Sequence, residues 1–104
     1  MAKFLFAYHG GQPPETPEDS QKVMQDWMDW FAKLGEAVVD GGNPAGMSKT
    51  VSSAGVANDG GANPVSGYSL VSASDIDAAV EMAKSCPMVL DGSGSVEVAE
   101  CHDM

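Results

Sequence analysis

The chain has no arginine, and its five lysines stand against fifteen aspartates and glutamates over 104 residues, giving a formal charge of −10. A nucleic-acid reader needs a basic stripe to neutralise phosphates and arginine forks to grip base edges, so DNA and RNA are disfavoured as partners. An anionic membrane surface is disfavoured on the same ground. Two cysteines, Cys86 and Cys101, are too few for a disulfide-stapled scaffold. No apolar run approaches the roughly 18 residues of a membrane span. The apolar run within residues 1–8 meets His9-Gly10-Gly11-Gln12-Pro13-Pro14 before it reaches the length of a secretory signal, so a reduced, cytoplasmic protein is the expectation. Composition and length fit one soluble domain over residues 1–104, with a core small enough that a partner surface would help it.

What is present reads as alternating strands and helices. Lys3 to Tyr8 is dense in aromatic and branched residues and ends in a Gly/Pro-rich turn, which predicts a strand with Phe4, Phe6 and Tyr8 on one face and Leu5 and Ala7 on the other. Thr16-Pro17-Glu18-Asp19 supplies an N-cap hydroxyl, a proline at the first helical position and an acid at the third. A helix follows, its apolar stripe running through Val23, Met24, Trp27, Met28, Trp30, Phe31 and Leu34 to a stop at Gly35. Glu36 to Asp40 predicts a brief strand.

Residues 41–67 hold seven glycines, two prolines and three asparagines, and read as loop and hairpin. Within them Lys49-Thr50-Val51-Ser52 has strand propensity, and Asn58-Asp59-Gly60-Gly61 suits a reversal. Gly67 to Ser72 predicts a strand with Tyr68 and Leu70 on one face and Ser69 and Val71 on the other. Ser74-Asp75-Ile76-Asp77 opens a second helix, capped by Ser74, which ends near Cys86-Pro87 because the residue before proline leaves the helical region. Ser95 to Cys101 alternates with period two as a last strand, with Val96 and Val98 inward.

The order predicts an α+β, ferredoxin-like βαββαβ sandwich: four antiparallel strands with both helices on one face. The other face then holds either Leu5, Ala7 and Val71 or Phe4, Phe6, Tyr8 and Leu70. Leaving such side chains wet forgoes about 25 cal/mol per Å² of burial, so a second copy packed sheet to sheet is expected.

The segments Phe4-Leu5-Phe6-Ala7-Tyr8-His9-Gly10, Gly42-Asn43-Pro44, Ser48-Lys49-Thr50-Val51, Gly67-Tyr68-Ser69-Leu70-Val71, Asp77-Ala78-Ala79-Val80, Cys86-Pro87 and Gly94-Ser95-Val96-Glu97-Val98 occur in an order and spacing that resemble the YCII-related family, in its DGPF-domain branch. The resemblance spans nearly the whole chain and implies a ferredoxin-like subunit assembled as a dimeric α/β barrel. It implies little about activity. Some relatives are thought to use a His–Asp pair with the histidine on the first helix; here that helix has none, and Asp59-Gly60-Gly61-Ala62 keeps only the aspartate and first glycine of the DGPF tetrad.

Candidate site residues follow from chemistry and from that resemblance. His9, at the end of a strand before two glycines, is the candidate acid/base, with Asp40 as its orienter. Tyr8, Trp30 and Tyr68 are candidates to line a pocket, and Ser48 with Lys49, one of five cations, to hold an anionic group. Metal donors are confined to His9, Cys101, His102 and Asp103, three of them at the chain end, so neither a metal nor another cofactor is expected. The glycine pairs match neither a phosphate loop nor a dinucleotide fingerprint. The functional expectation is a homodimer that binds a small organic molecule in a cavity by the sheet, acting as an acid/base enzyme of lyase type. The alternative is a non-catalytic metabolite-sensing or accessory module.

Overall fold

The computed structural model describes residues 1–11 and 14–103. Strand β1 covers Ala2–Gly10, helix α1 Pro17–Leu34, and a single 3-10 turn, Gly35–Ala37, leads into strand β2 at Val38–Asp40. A small hairpin follows, β3 at Thr50–Ser52 and β4 at Gly55–Ala57. Then come β5 at Val65–Ala73, α2 at Ile76–Lys84, a short α3 at Pro87–Leu90, and β6 at Gly94–Cys101.

The main sheet runs β2-β5-β1-β6, and every neighbouring pair is antiparallel. With α1 and α2 on one face this is an α+β arrangement consistent with a ferredoxin-like fold. Three local features differ from the sequence expectation. The hairpin reverses at Ser53–Ala54, not at 58–61, where Asp59 instead accepts the Gly61 amide in a separate turn. The cap of α2 is Asp75, whose carboxylate takes the Ala78 amide at 2.8 Å, rather than Ser74. And Pro87 starts α3 instead of only ending α2, since its fixed φ suits a first helical position. The start of α1 is as read: Thr16 Oγ1 accepts the Asp19 amide at 3.0 Å.

Register decides which side chains are covered. Phe4 pairs with Val71, Phe6 with Ser69 and Val98, and Tyr8 with Gly67 and Val96. Directly opposed residues share a face. Phe4, Phe6, Tyr8, Val71 and Ala73 therefore form one buried surface, which meets Trp30 of α1, Ala79 and Ala83 of α2, and Met88 of α3. The two sets expected for the uncovered face each mixed residues that the pairing separates. Val71 sits with Phe4, and Leu70 with Leu5, because both pairs are in direct register. The uncovered face carries Leu5, Ala7, Leu70 and Ala99, together with Tyr68 and Glu97, which both oppose Ala7.

The apolar stripe of α1 is only partly used. Trp30 is 4% exposed, whereas Met24 and Met28 remain 65% and 58% exposed. Of the eighteen residues of the helix, Trp30 alone is buried. Large rings hold α1 off the sheet. Phe6 stacks on Trp30 at 6.2 Å, and Tyr8 meets Trp27 edge-on at 5.0 Å.

The molecule is flat, with extents of 43 × 42 × 20 Å and a radius of gyration of 14.8 Å. A compact chain of this length measures about 13 Å. It exposes 7160 Å². A compact monomer of the same mass exposes about 5500 Å².

Candidate functional site

The space between α1 and the sheet opens beside the segment 41–44 into a cavity of about 480 Å³. Trp27, Phe31, Met24 and Val23 come from α1, Tyr8 from β1 and Met88 from α3. No lysine, aspartate or glutamate lines it among the described residues.

Its far wall is the strap Gly41-Gly42-Asn43-Pro44, which is tied to the start of β5. The Tyr68 amide donates to the Asn43 carbonyl at 3.2 Å and the Ala45 amide to the Ser66 carbonyl at 2.9 Å. Two glycines allow this approach. Gly42 has φ of +72°, and a Cβ there would overlap the Tyr68 carbonyl oxygen. At Gly67 a Cβ would sit 3.1 Å from the Asn43 carbonyl oxygen and 3.4 Å from the Tyr8 ring. Glycine is thus needed at the first for both backbone conformation and space, and at the second for space.

The phenol of Tyr8 is buried and donates to Ser69 Oγ at 2.8 Å; Ser69 Oγ in turn donates to the Gly41 carbonyl at 2.6 Å. Burial pushes the Tyr8 hydroxyl above its ordinary range, against the Ser69 hydrogen bond, which pulls the other way. It stays a neutral donor. Beside it, Ser66 is the extra residue of a bulge: Tyr8 pairs with Gly67 but His9 with Val65. The Ser66 hydroxyl oxygen is sealed from solvent and has no hydrogen-bond partner among the described residues.

His9 lies elsewhere, against β6 and the segment before β5. It is 7% exposed. Its Nε2 is 3.0 Å from Glu97 Oε1, and its Nδ1 is 3.0 Å from the Asn63 carbonyl oxygen and 3.3 Å from that of Pro64. A general base needs a nitrogen lone pair open to a substrate proton. Here both nitrogens face protein oxygens, so the ring works as a tie between β1, β6 and residues 63–64.

The structure does not bring the expected pair together. Asp40 turns its carboxylate onto the Gly42 amide at 2.8 Å, forming the turn that launches the strap, and the carboxylate beside His9 is Glu97. Tyr8 and Tyr68 both reach the cavity, Tyr68 while 39% exposed. Trp30 does not. It is core, its Nε1 donating to the Met82 carbonyl at 3.2 Å and Ser85 Oγ at 3.1 Å, and its neighbour Trp27 forms the cavity wall. Ser48 packs near Gly60, Lys49 is exposed, and neither borders the cavity. Glu97 was legible as a residue of the alternating last strand, but its partner depends on register. Ser66 became visible only with the bulge.

A wider groove of about 1190 Å³ runs between α1 and α3, floored by Asp19, Asp26, Asp29 and Asp91 with Lys22 and Lys33. It is open to water, and its charges are solvated. No helix among the described residues is long and apolar enough to cross a membrane. Among them no three His, Cys, Asp or Glu side chains gather as a metal site.

A scan of protein-family models finds no match for this chain, and a search of curated proteins finds none either.

Proposed function

We propose that this chain is a YCII-related protein of the cytoplasm, a ferredoxin-like subunit that pairs through its open sheet face into a dimeric α/β barrel and binds a small, largely apolar molecule between α1 and the strap 41–44. The observation that carries the binding role is the aromatic cavity of about 480 Å³, a size and character usual for small-molecule sites. Among the described residues its walls contain no charged group, and its one buried phenol is already bonded, so recognition without turnover is the better-supported role. The molecule would be sensed or carried. Support for pairing comes from area: the protomer exposes roughly 1600 Å² more than a compact chain of its mass, ample for a stable interface.

A second reading, acid/base chemistry at His9 with Glu97 as the positioning carboxylate, rests on their 3.0 Å contact. It requires His9 to release one of its present partners. A thermal-shift screen with small aromatic compounds tests the binding role, because any ligand of the folded state raises the melting temperature whether or not it is turned over. Stabilisation that disappears in Trp27→Ala is expected; no stabilisation by any compound rejects it.

A further inference from the structure

The open sheet face is charged unevenly from end to end. Lys3, Leu5, Ala7 and His9 follow one another along β1 on this face, and Glu97 of β6 opposes Ala7. Lys3 is exposed and is the only lysine on any strand of the main sheet. At the other end, Glu97 meets His9 Nε2 through Oε1, yet its side chain is still 68% exposed, so the carboxylate has room for a second cation. The other acid near this face, Asp40, stands on the edge strand β2 and is held by the Gly42 amide. A cation thus marks one end of the face and a carboxylate the other.

The dimer proposed above, on which this step rests, can be stacked in two ways. Sheets packed face to face in the aligned manner keep their strands within about 30° of each other, and a twofold axis brings the same patch of both copies together. With the axis along the strands, Lys3 end meets Lys3 end and Glu97 end meets Glu97 end. With the axis across the strands, each Lys3 end lies over the Glu97 end of the other copy. Two observations favour the second. Like charges set against each other in an interface oppose association, whereas opposite charges fix its register, and this chain of −10 has a single lysine on the face to offer. The carbonyls of Asn63 and Pro64 also sit against the His9 ring at 3.0 and 3.3 Å and help to bury it, so the face is already covered at that end of the central strand β1. The aligned stacking presses the two copies of this segment together; the reversed stacking sets each one against the start of the other's β1.

We infer that the second copy packs with its strands reversed, so that Lys3 of each protomer meets Glu97 of the partner subunit. Sedimentation of the full chain is compared with that of Lys3→Glu, of Glu97→Lys and of an equimolar mixture of the two. Each variant alone sets like charge against like charge twice in a dimer and is expected to associate more weakly by on the order of a hundredfold, while the mixture regains a dimer. A second measurement needs no variant. A carbodiimide, which joins an amine to a carboxylate in contact with it by loss of water, is applied to a mixture of isotope-labelled and unlabelled chain, and a Lys3–Glu97 amide between one labelled and one unlabelled peptide is expected by mass spectrometry. If the chain dimerises but Lys3→Glu associates as tightly as the unaltered chain, or if no such amide links two copies, the reversed orientation is overturned and the pairing itself stands. An unaltered chain that stays monomeric at micromolar concentration removes the pairing and this inference with it.

Discussion

The Tyr8 hydroxyl and Ser69 Oγ meet at 2.8 Å across the two central strands, and the Ser69 hydroxyl in turn donates a hydrogen bond to the Gly41 carbonyl at 2.6 Å. The three groups form a polar chain through an otherwise apolar layer, each depending on the next. Ser69→Ala removes the acceptor of a buried phenol and the donor of a buried carbonyl together, and should cost about 2–4 kcal/mol. Tyr8→Phe leaves Ser69 bonded to Gly41 and should cost less, roughly 1 kcal/mol. Urea denaturation of both variants checks the order, and equal losses would show that the chain of bonds is not coupled.

His9 joins three elements through its ring. Replacing it with leucine keeps the apolar volume and strips the contacts to Glu97 and to the Asn63 carbonyl. A loss of about 1–3 kcal/mol is expected, with faster amide hydrogen exchange across residues 58–64. Glu97→Gln, which can still offer an oxygen to Nε2, should retain most of the protection. If exchange in that segment is unchanged in the leucine variant, the ring does not hold it.

Alkaline stability follows from two buried acids. Burial pushes the Cys86 thiol from 9.0 up to about 11, and raises the Tyr8 phenol from 10.0 in the same sense. Below pH 9 both groups are protonated whether the chain is folded or not, and neither makes stability depend on pH. Above it the unfolded chain releases its proton first, so stability falls as pH rises from 9 to about 11 through the thiol, with the phenol adding to the fall above 10. Urea midpoints should decline over that window, and the Cys86→Ala variant should decline less steeply from its own lower starting point.

The two tryptophans of α1 separate core from cavity. Trp30 is enclosed and donates its indole proton to Met82 and Ser85, so Trp30→Ala should cost about 3–5 kcal/mol. Trp27 is half-buried with one side on the cavity, and Trp27→Ala should cost clearly less. Thermal unfolding of the pair decides it. The sequence placed both on one apolar stripe and could not divide them, because helical spacing gives the face and not what stands opposite it.

The same limit explains which parts of the fold were legible. Alternation and caps mark β1, α1, β5, α2 and β6, since those patterns depend on residues a few positions apart. Which face Val71 shares with Phe4 depends on strand register, which is set by contacts between residues more than sixty positions apart. The pairing of His9 with Glu97 in place of Asp40 is likewise a register outcome, because Ser95 opposes His9 on β6 and leaves Glu97 one step along the same face. The hairpin turn was misplaced because 58–61 is the richer glycine run, while Ser53–Ala54 reverses the chain with the positive φ of the following Gly55.

Leu5 and Leu70 oppose each other at the centre of the open sheet face, with Ala99 beside Leu5 on β6. Neither is needed by the core under the helices. In the proposed dimer these positions meet a second copy, and a glutamate there would be stripped of water on association, a cost that Lys3, which pairs with Ser72 one step along the same face, offsets only in part. Leu70→Glu is therefore expected to sediment as a folded monomer at concentrations where the unaltered chain sediments as a dimer, with its circular dichroism little changed. Because each protomer would then regain its excess wet surface, the variant should also melt at a lower temperature that no longer depends on protein concentration. A monomeric unaltered chain at micromolar concentration would leave that excess surface to some other partner and remove the basis for the barrel.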